Sequence, residues 1–115
     1  MIVNAITRQF EVANEIARQL GGARALRLML GASSIIATTS NGNPALSFSF
    51  KGSRMFNKCV IELNEMDEYT MTLSRQDKFG QTKKSTTIET WCGSLAKDFS
   101  LKTGLDLAIP KIVFA

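Results

Sequence analysis

Apolar side chains recur at steps of three and four near the start of the chain: Ile6, Phe10, Ala13, Ile16, Ala17 and Leu20. That spacing lines one side of an α-helix. Arg8, Glu11, Glu15 and Arg18 fall largely off the stripe, at separations that permit weak surface pairing. Gly21-Gly22 ends this helix, because glycine enters the left-handed conformation that closes a helix end. A second, short helix is expected over Ala23 to Leu30, with Gly31 as its stop.

From Ser33 the period changes to two. Ser33 to Thr39 is short and rich in β-branched residues, which predicts a strand. Asn41-Gly42-Asn43-Pro44 predicts a turn. Leu46, Phe48 and Phe50 then alternate with Ser47, Ser49 and Lys51, so one face of a second strand is buried and the other wet. After the turn Lys51-Gly52-Ser53-Arg54, Cys59, Ile61 and Leu63 mark a third strand. After Asn64 to Glu68, Tyr69, Met71 and Leu73 mark a fourth. Connections this short imply an antiparallel meander. Leu46, Phe48, Phe50, Ile61, Leu63, Met71 and Leu73 should all face the helices, since a one-residue slip would turn every side chain over.

Arg75 to Lys84 is polar and basic, and either prolongs the fourth strand or forms a loop. Ser85, Thr86 and Thr87 offer caps for a last helix whose stripe reads Ile88, Trp91, Cys92, Leu95, Ala96 and Phe99. Trp91 is expected buried between that helix and the sheet, and Gly104 stops the helix. The tail holds Leu105, Leu107, Ile109, Ile112, Val113 and Phe114, with Pro110 forbidding a smooth helix; it could dock on the sheet, add a strand or join a partner. The expected fold is a single α+β domain over 1–115. It has a four-stranded antiparallel meander, with two N-terminal helices and one C-terminal helix packed on one face.

Composition agrees with one ordinary core. The chain has 115 residues, 44% of them hydrophobic and 21% charged, close to the globular average, which excludes global disorder. No apolar run approaches the roughly 20 residues of a membrane-spanning helix, and the start Met1-Ile2-Val3-Asn4-Ala5 does not read as a secretory signal. Cytoplasm is the expected compartment, and Cys59 and Cys92 are expected as buried thiols rather than a bridge.

Chemistry is limited by what the chain lacks. With no His, it has neither the usual neutral-pH general base nor most zinc sites. No Ser sits in a glycine elbow, and Gly21-Gly22 lacks the Lys-Ser/Thr ending of a phosphate loop. Glu62, Glu65, Asp67 and Glu68 read as a solvated acidic turn rather than a magnesium site. The expectation is therefore a protein that is not an enzyme, with no catalytic residue, cofactor or metal.

Charge alternates in sign along the chain within a net +4. Two stretches mix cations with aromatics: Arg54, Phe56 and Lys58, then Arg75, Lys78, Phe79, Lys83 and Lys84. In a meander they fall at the same end of adjacent strands. These eight residues are the expected partner-binding face, since Lys and Arg bind phosphates or acidic surfaces and exposed aromatics stack on unpaired bases.

The motif order Leu20-Gly21-Gly22, Met29-Leu30-Gly31-Ala32, Leu46-Ser47-Phe48-Ser49-Phe50, Ile61-Glu62-Leu63, Met66-Asp67-Glu68-Tyr69 and Thr103-Gly104-Leu105 resembles small uncharacterised accessory proteins of bacteriophages and mobile elements. It departs at Leu30-Gly31-Ala32-Ser33, where those proteins often carry Thr-Gly-Ala-Lys. It departs again at Lys83-Lys84, where they tend to have a longer acidic stretch. The resemblance implies a setting rather than a reaction. On it, the chain would be a non-catalytic inhibitor of a host protein or nucleoprotein, such as a bacterial immunity complex (the anti-CRISPR kind of role). A nucleic-acid-binding module in phage replication or regulation is the alternative.

Overall fold

The alternating segments pair in the order in which they occur. In a computed structural model describing residues 2–91 and 93–105, the side chains of residues 2–6 and Met29 excepted, the order is α1 (Ile2–Gln19), α2 (Ala23–Leu30), β1 (Ser33–Ser40), β2 (Asn43–Ser49), β3 (Lys58–Leu63), β4 (Tyr69–Gln76), β5 (Thr82–Thr90) and α3 (Leu95–Thr103). The strands form one antiparallel sheet in sequence order, β1-β2-β3-β4-β5. The fold is α+β, with a five-stranded meander and three helices.

Register places the apolar sets in rows. Leu46, Ile61, Met71 and Ile88 stand side by side across β2 to β5; Phe48, Cys59, Leu73 and Thr86 form the next row. Leu46, Phe48, Phe50, Ile61, Met71 and Leu73 are buried, and Leu63 is half-buried against them, so the expected face holds. Val12, Ala13, Ile16 and Leu20 of α1, Leu26 and Leu30 of α2, and Leu95 and Phe99 of α3 belong to the same cluster. All three helices therefore cover this one face. Each large side chain moved from water to such a core stabilises by about 1.5–3 kcal/mol.

The number of strands is corrected from four to five. Thr82–Thr90 pairs with β4 from Tyr69 opposite Thr90 to Arg75 opposite Lys84, so Ile88 is a strand residue and not the first turn of a helix. The β-branched run Thr86, Thr87, Ile88 and Thr90 favours a pleated ribbon, and its even positions lie over the core while Thr87 and Glu89 are exposed. The last helix starts only at Leu95. Trp91, expected buried, stands just past β5 and is 64% exposed; Leu95 and Phe99 carry the buried stripe instead. In α1 the stripe is rotated from the expected one: Val12 is inside and Phe10 is exposed, while the side chain of Ile6 lies outside the described residues. Cys92 and the tail residues Leu107, Ile109, Pro110, Ile112, Val113 and Phe114 also lie outside them.

Helix ends follow the glycines. Gly31 and Gly104 adopt left-handed conformations, φ 57 and 76°, and close α2 and α3. Asn41 and Gly42, both at positive φ, make the two-residue turn between β1 and β2. Glu62, on the outer face of β3, gathers that turn: its carboxylate accepts from Ser40 Oγ at 3.3 Å, Asn41 Nδ2 at 3.0 Å and Asn43 Nδ2 at 3.0 Å. Among the described residues, no helix is long and apolar enough to cross a membrane.

The Phe99 ring lies 5.2 Å from Phe50 and 6.0 Å from Phe48, centroid to centroid, and is fully buried. Replacing Phe99 by Ala should cost about 3–5 kcal/mol in urea unfolding of dilute protein, a large share of a small domain's stability. Trp91→Ala in the same measurement should stay within about 0.5 kcal/mol, the usual range for an exposed site.

Candidate functional site

Two turns of the same design sit at opposite ends of β4. In each, an Asn or Asp side-chain oxygen takes the backbone N–H groups two and four residues on, a local bond those side chains are short enough to make. Asn64 Oδ1 accepts from Met66 N at 2.9 Å and Glu68 N at 3.0 Å; Asp77 Oδ1 accepts from Phe79 N at 2.8 Å and Gln81 N at 3.0 Å. The fourth residue is left-handed in both, Asp67 at φ 60° and Gly80 at φ 81°. An apolar side chain stands at each tip, Met66 78% and Phe79 79% exposed. The charges differ: Glu65, Asp67 and Glu68 on the first turn, Lys78 with Lys83 and Lys84 on the second. The molecule thus has an acidic end and a basic end.

The basic end is completed by the β2–β3 connection, residues 50–57. Asn57 stitches it to β4: its Nδ2 donates to the Gln76 carbonyl at 2.8 Å and its Oδ1 accepts from Gln76 N at 2.9 Å. Arg75 Nη1 donates to the Ser53 carbonyl at 3.3 Å, and Ser53 Oγ accepts from the backbone N–H of Met55 and Phe56. Lys51 N donates to the Leu30 carbonyl at 2.9 Å, tying the connection to the end of α2. A cleft of about 510 Å³ lies between connection and turn, lined by Phe50, Lys51, Ser53, Asn57, Arg75 and Asp77 among others. Residues 51–58 and 75–84 together carry seven Lys and Arg against one Asp.

The structure brings most of the expected face to this end but divides it between two sides of the sheet. Arg75 and Lys84 are cross-strand partners on the helix side; Lys58, opposite Ser74, is half-buried on the open side. Arg54 is exposed in the connection. Lys78 and Phe79 form the exposed tip, with the Lys78 ammonium 5.2 Å from the Phe79 ring centroid. Lys83 reaches back to Asp77 at 3.7 Å, a weak exposed pair. Phe56 belongs to the core, 2% exposed, and supports the face from beneath, with the Lys84 ammonium 5.7 Å from its ring. The aromatic available to a partner here is Phe79.

Sequence reading passed over Asn57 and Asp77. Asp77, three residues before Gly80, carries a turn signal; the reciprocal bond between Asn57 and Gln76 spans two strands and leaves none. Away from this end, Arg18 hydrogen-bonds Glu15 at 2.9 Å and Gln19 bonds it at 3.1 Å, which holds the Glu15 carboxyl at a pKa of about 2. Arg18 is exposed, whereas Gln19 is half-buried and its Nε2 also donates to the Tyr69 hydroxyl at 3.2 Å. Among the described residues, no group of three or more Cys, Asp and Glu side chains is placed to hold a metal ion. No protein-family model matches the chain, and neither a curated protein nor a solved structure matches it.

Cys59 is fully buried between Phe48 and Leu73, and burial pushes its thiol pKa up. Native Cys59 should react with iodoacetamide far more slowly than the unfolded chain does, because the thiolate is the nucleophile. Mass-spectrometric labelling of the Cys59 peptide checks this; equal rates in buffer and in denaturant would show that the core opens freely.

Proposed function

We propose that this chain is a non-catalytic binding protein that presents its basic end to an acidic surface of a host protein or nucleoprotein. The observation that carries this reading is Phe79: a large apolar side chain 79% exposed on a turn held by Asp77, with Lys78 beside its ring and Lys83 and Lys84 following. An exposed aromatic on a fixed turn can anchor a partner at little conformational cost, and the surrounding cations steer an acidic surface toward it. The setting comes from the resemblance: an accessory protein of a phage or mobile element, acting in the bacterial cytoplasm by occlusion, for example of an immunity complex.

A nucleic-acid-binding role is the second reading, and the same turn favours it. The open face of Phe79 can stack on an unpaired base while Lys78, Lys84 and Arg75 neutralise phosphates. Such binding would weaken steeply with salt.

Affinity capture from a bacterial host lysate, with and without nuclease, separates the two. A host protein retained after nuclease treatment supports the first reading; retention abolished by nuclease, with salt-dependent binding to single-stranded oligonucleotides, supports the second. In either case Lys78→Glu combined with Lys84→Glu should weaken binding by about ten-fold or more while thermal melting stays close to that of the parent, since both side chains are exposed. Full binding by this folded variant would remove the basic end from consideration.

A further inference from the structure

The cleft at the basic end has two walls. The end of β4 and the turn after it supply Arg75, Gln76 and Asp77; the β2–β3 connection supplies Lys51, Gly52 and Ser53. Its volume of about 510 Å³ falls within the range of small-ligand sites. The one carboxylate on these walls is engaged within the protein. Asp77 accepts from Phe79 N and Gln81 N through Oδ1, and its Oδ2 stands 3.7 Å from the Lys83 ammonium.

Donors, by contrast, are left over. Arg75 places one of its five N–H bonds on the Ser53 carbonyl and has no second acceptor among the described residues. The Lys51 ammonium meets no carboxylate among the described residues. Its stem lies against Gly31, where a side chain would stand 3.7 Å from Lys51 Cδ. The backbone N–H groups of Gly52 and Ser53 find no acceptor among the described residues, although Ser53 is only 9% exposed. The Ser53 hydroxyl accepts from Met55 N and Phe56 N, so its own proton remains to donate.

We propose that this cleft binds a phosphate group, free or carried on a nucleic-acid strand. The Arg75 guanidinium lies 3.3 Å from the Ser53 carbonyl, which brings the cation of one wall to the amides of the other. Successive amides in a turn, here beside Gly52 at φ 98°, form concavities that bind anions. A phosphate directs its oxygens tetrahedrally and takes donors from both walls at once, whereas a carboxylate has two oxygens in one plane. The cleft ends at the Phe79 turn, because Asp77 on its wall holds Phe79 N at 2.8 Å. A strand with its phosphate between the walls thus has a base beside the exposed ring. Such a site goes beyond the binding role above: Lys51, Gly52 and Ser53 lie outside the face assigned to that role, and phosphate itself is the ligand.

NMR titration of the isotope-labelled full chain with inorganic phosphate, at constant ionic strength, tests the site. The Gly52 and Ser53 amide signals and the Arg75 Nε–H signal should shift and saturate in the millimolar range. Acetate should bind about ten-fold more weakly. Lys51→Gln and Arg75→Gln, made singly, should each raise the phosphate dissociation constant about five-fold or more while melting stays close to that of the parent, since both side chains are exposed. Were Arg75→Gln to misfold, Lys51→Gln still decides, because α2 is tied to Lys51 through its backbone N–H. Two thymidine oligonucleotides of equal length, one with a terminal phosphate, separate the sources. Displacement of inorganic phosphate by the phosphorylated strand alone assigns the cleft to a strand end; displacement by both assigns it to the backbone, and by neither to free phosphate. The absence of a saturable shift at Gly52 and Ser53, equal affinity for acetate, or unchanged phosphate affinity in both variants overturns the proposal. Phe79→Ala removes the ring that carries the binding role and keeps every cleft group. Loss of a captured partner in that variant, with no phosphate bound by the parent, sinks the cleft and keeps the binding role. Phosphate bound by a parent that captures no partner does the reverse.

Discussion

The meeting of Phe48, Phe50 and Phe99 holds the last helix to the sheet. β2 supplies two of the rings and α3 the third, at centroid separations of 5.2 and 6.0 Å. Tilted and edge-on rings at these distances attract beyond simple burial. With Phe99 seated there, α3 ends at Gly104 and Leu105 follows against Gly52, where a side chain on Gly52 would come within 3.3 Å of Leu105. The β2–β3 connection is thus packed from below by the C-terminal helix, while Lys51 is tied to the end of α2. The basic end is carried by a rigid support because the core beneath it joins α2, β2 and α3.

Electrostatics then gives the molecule a direction. The two turns at the ends of β4 share one backbone design and differ in charge, so their shape cannot explain the difference in composition. Neither shape nor stability requires Lys78, Lys83 and Lys84 at one tip and Glu65, Asp67 and Glu68 at the other. A separation of charge over the length of one strand exceeds the screening distance of physiological salt, about 8 Å, so each end acts on its surroundings independently. Glu62 belongs to neither effect: it is 5% exposed, and its oxygens are occupied by Ser40, Asn41 and Asn43.

How much of this was legible depended on the strength of local signals. Leu46, Phe48, Ile61, Met71 and Leu73 alternate in short segments with one wet face, and period two survives into the structure without a slip. Gly31 and Gly104 marked their helix ends for a steric reason that acts locally. β5 was missed because its inward positions are Thr86, Ile88 and Thr90. An edge strand at the margin of the helical cover needs little apolar surface, so its alternation is faint. Ile88, Trp91, Leu95 and Phe99 are spaced for a helix, and only tertiary pairing with β4 assigns the first of them to a strand. At the candidate site, charge clustering found the cations, but Phe56 and Phe79 look alike in sequence. Ser53 turns the chain so that one is buried, and Asp77 turns it so that the other is displayed.

The display of Phe79 is the physical reason to treat the basic end as a contact surface rather than as solvated edge. Lysines alone would serve solubility equally well at any position. A phenylalanine at a turn tip loses the stabilisation it would gain by burial, and the Lys78 ammonium at 5.2 Å returns only about 0.5–1 kcal/mol at an exposed site. Asp77 fixes the backbone around it with two hydrogen bonds and reaches Lys83 as well, so the turn carries the ring outward. The turn backbone that presents it has already lost freedom that binding would otherwise take from it. Phe79 can thus give up its burial term to a partner, whether that partner is an acidic protein or a nucleic acid.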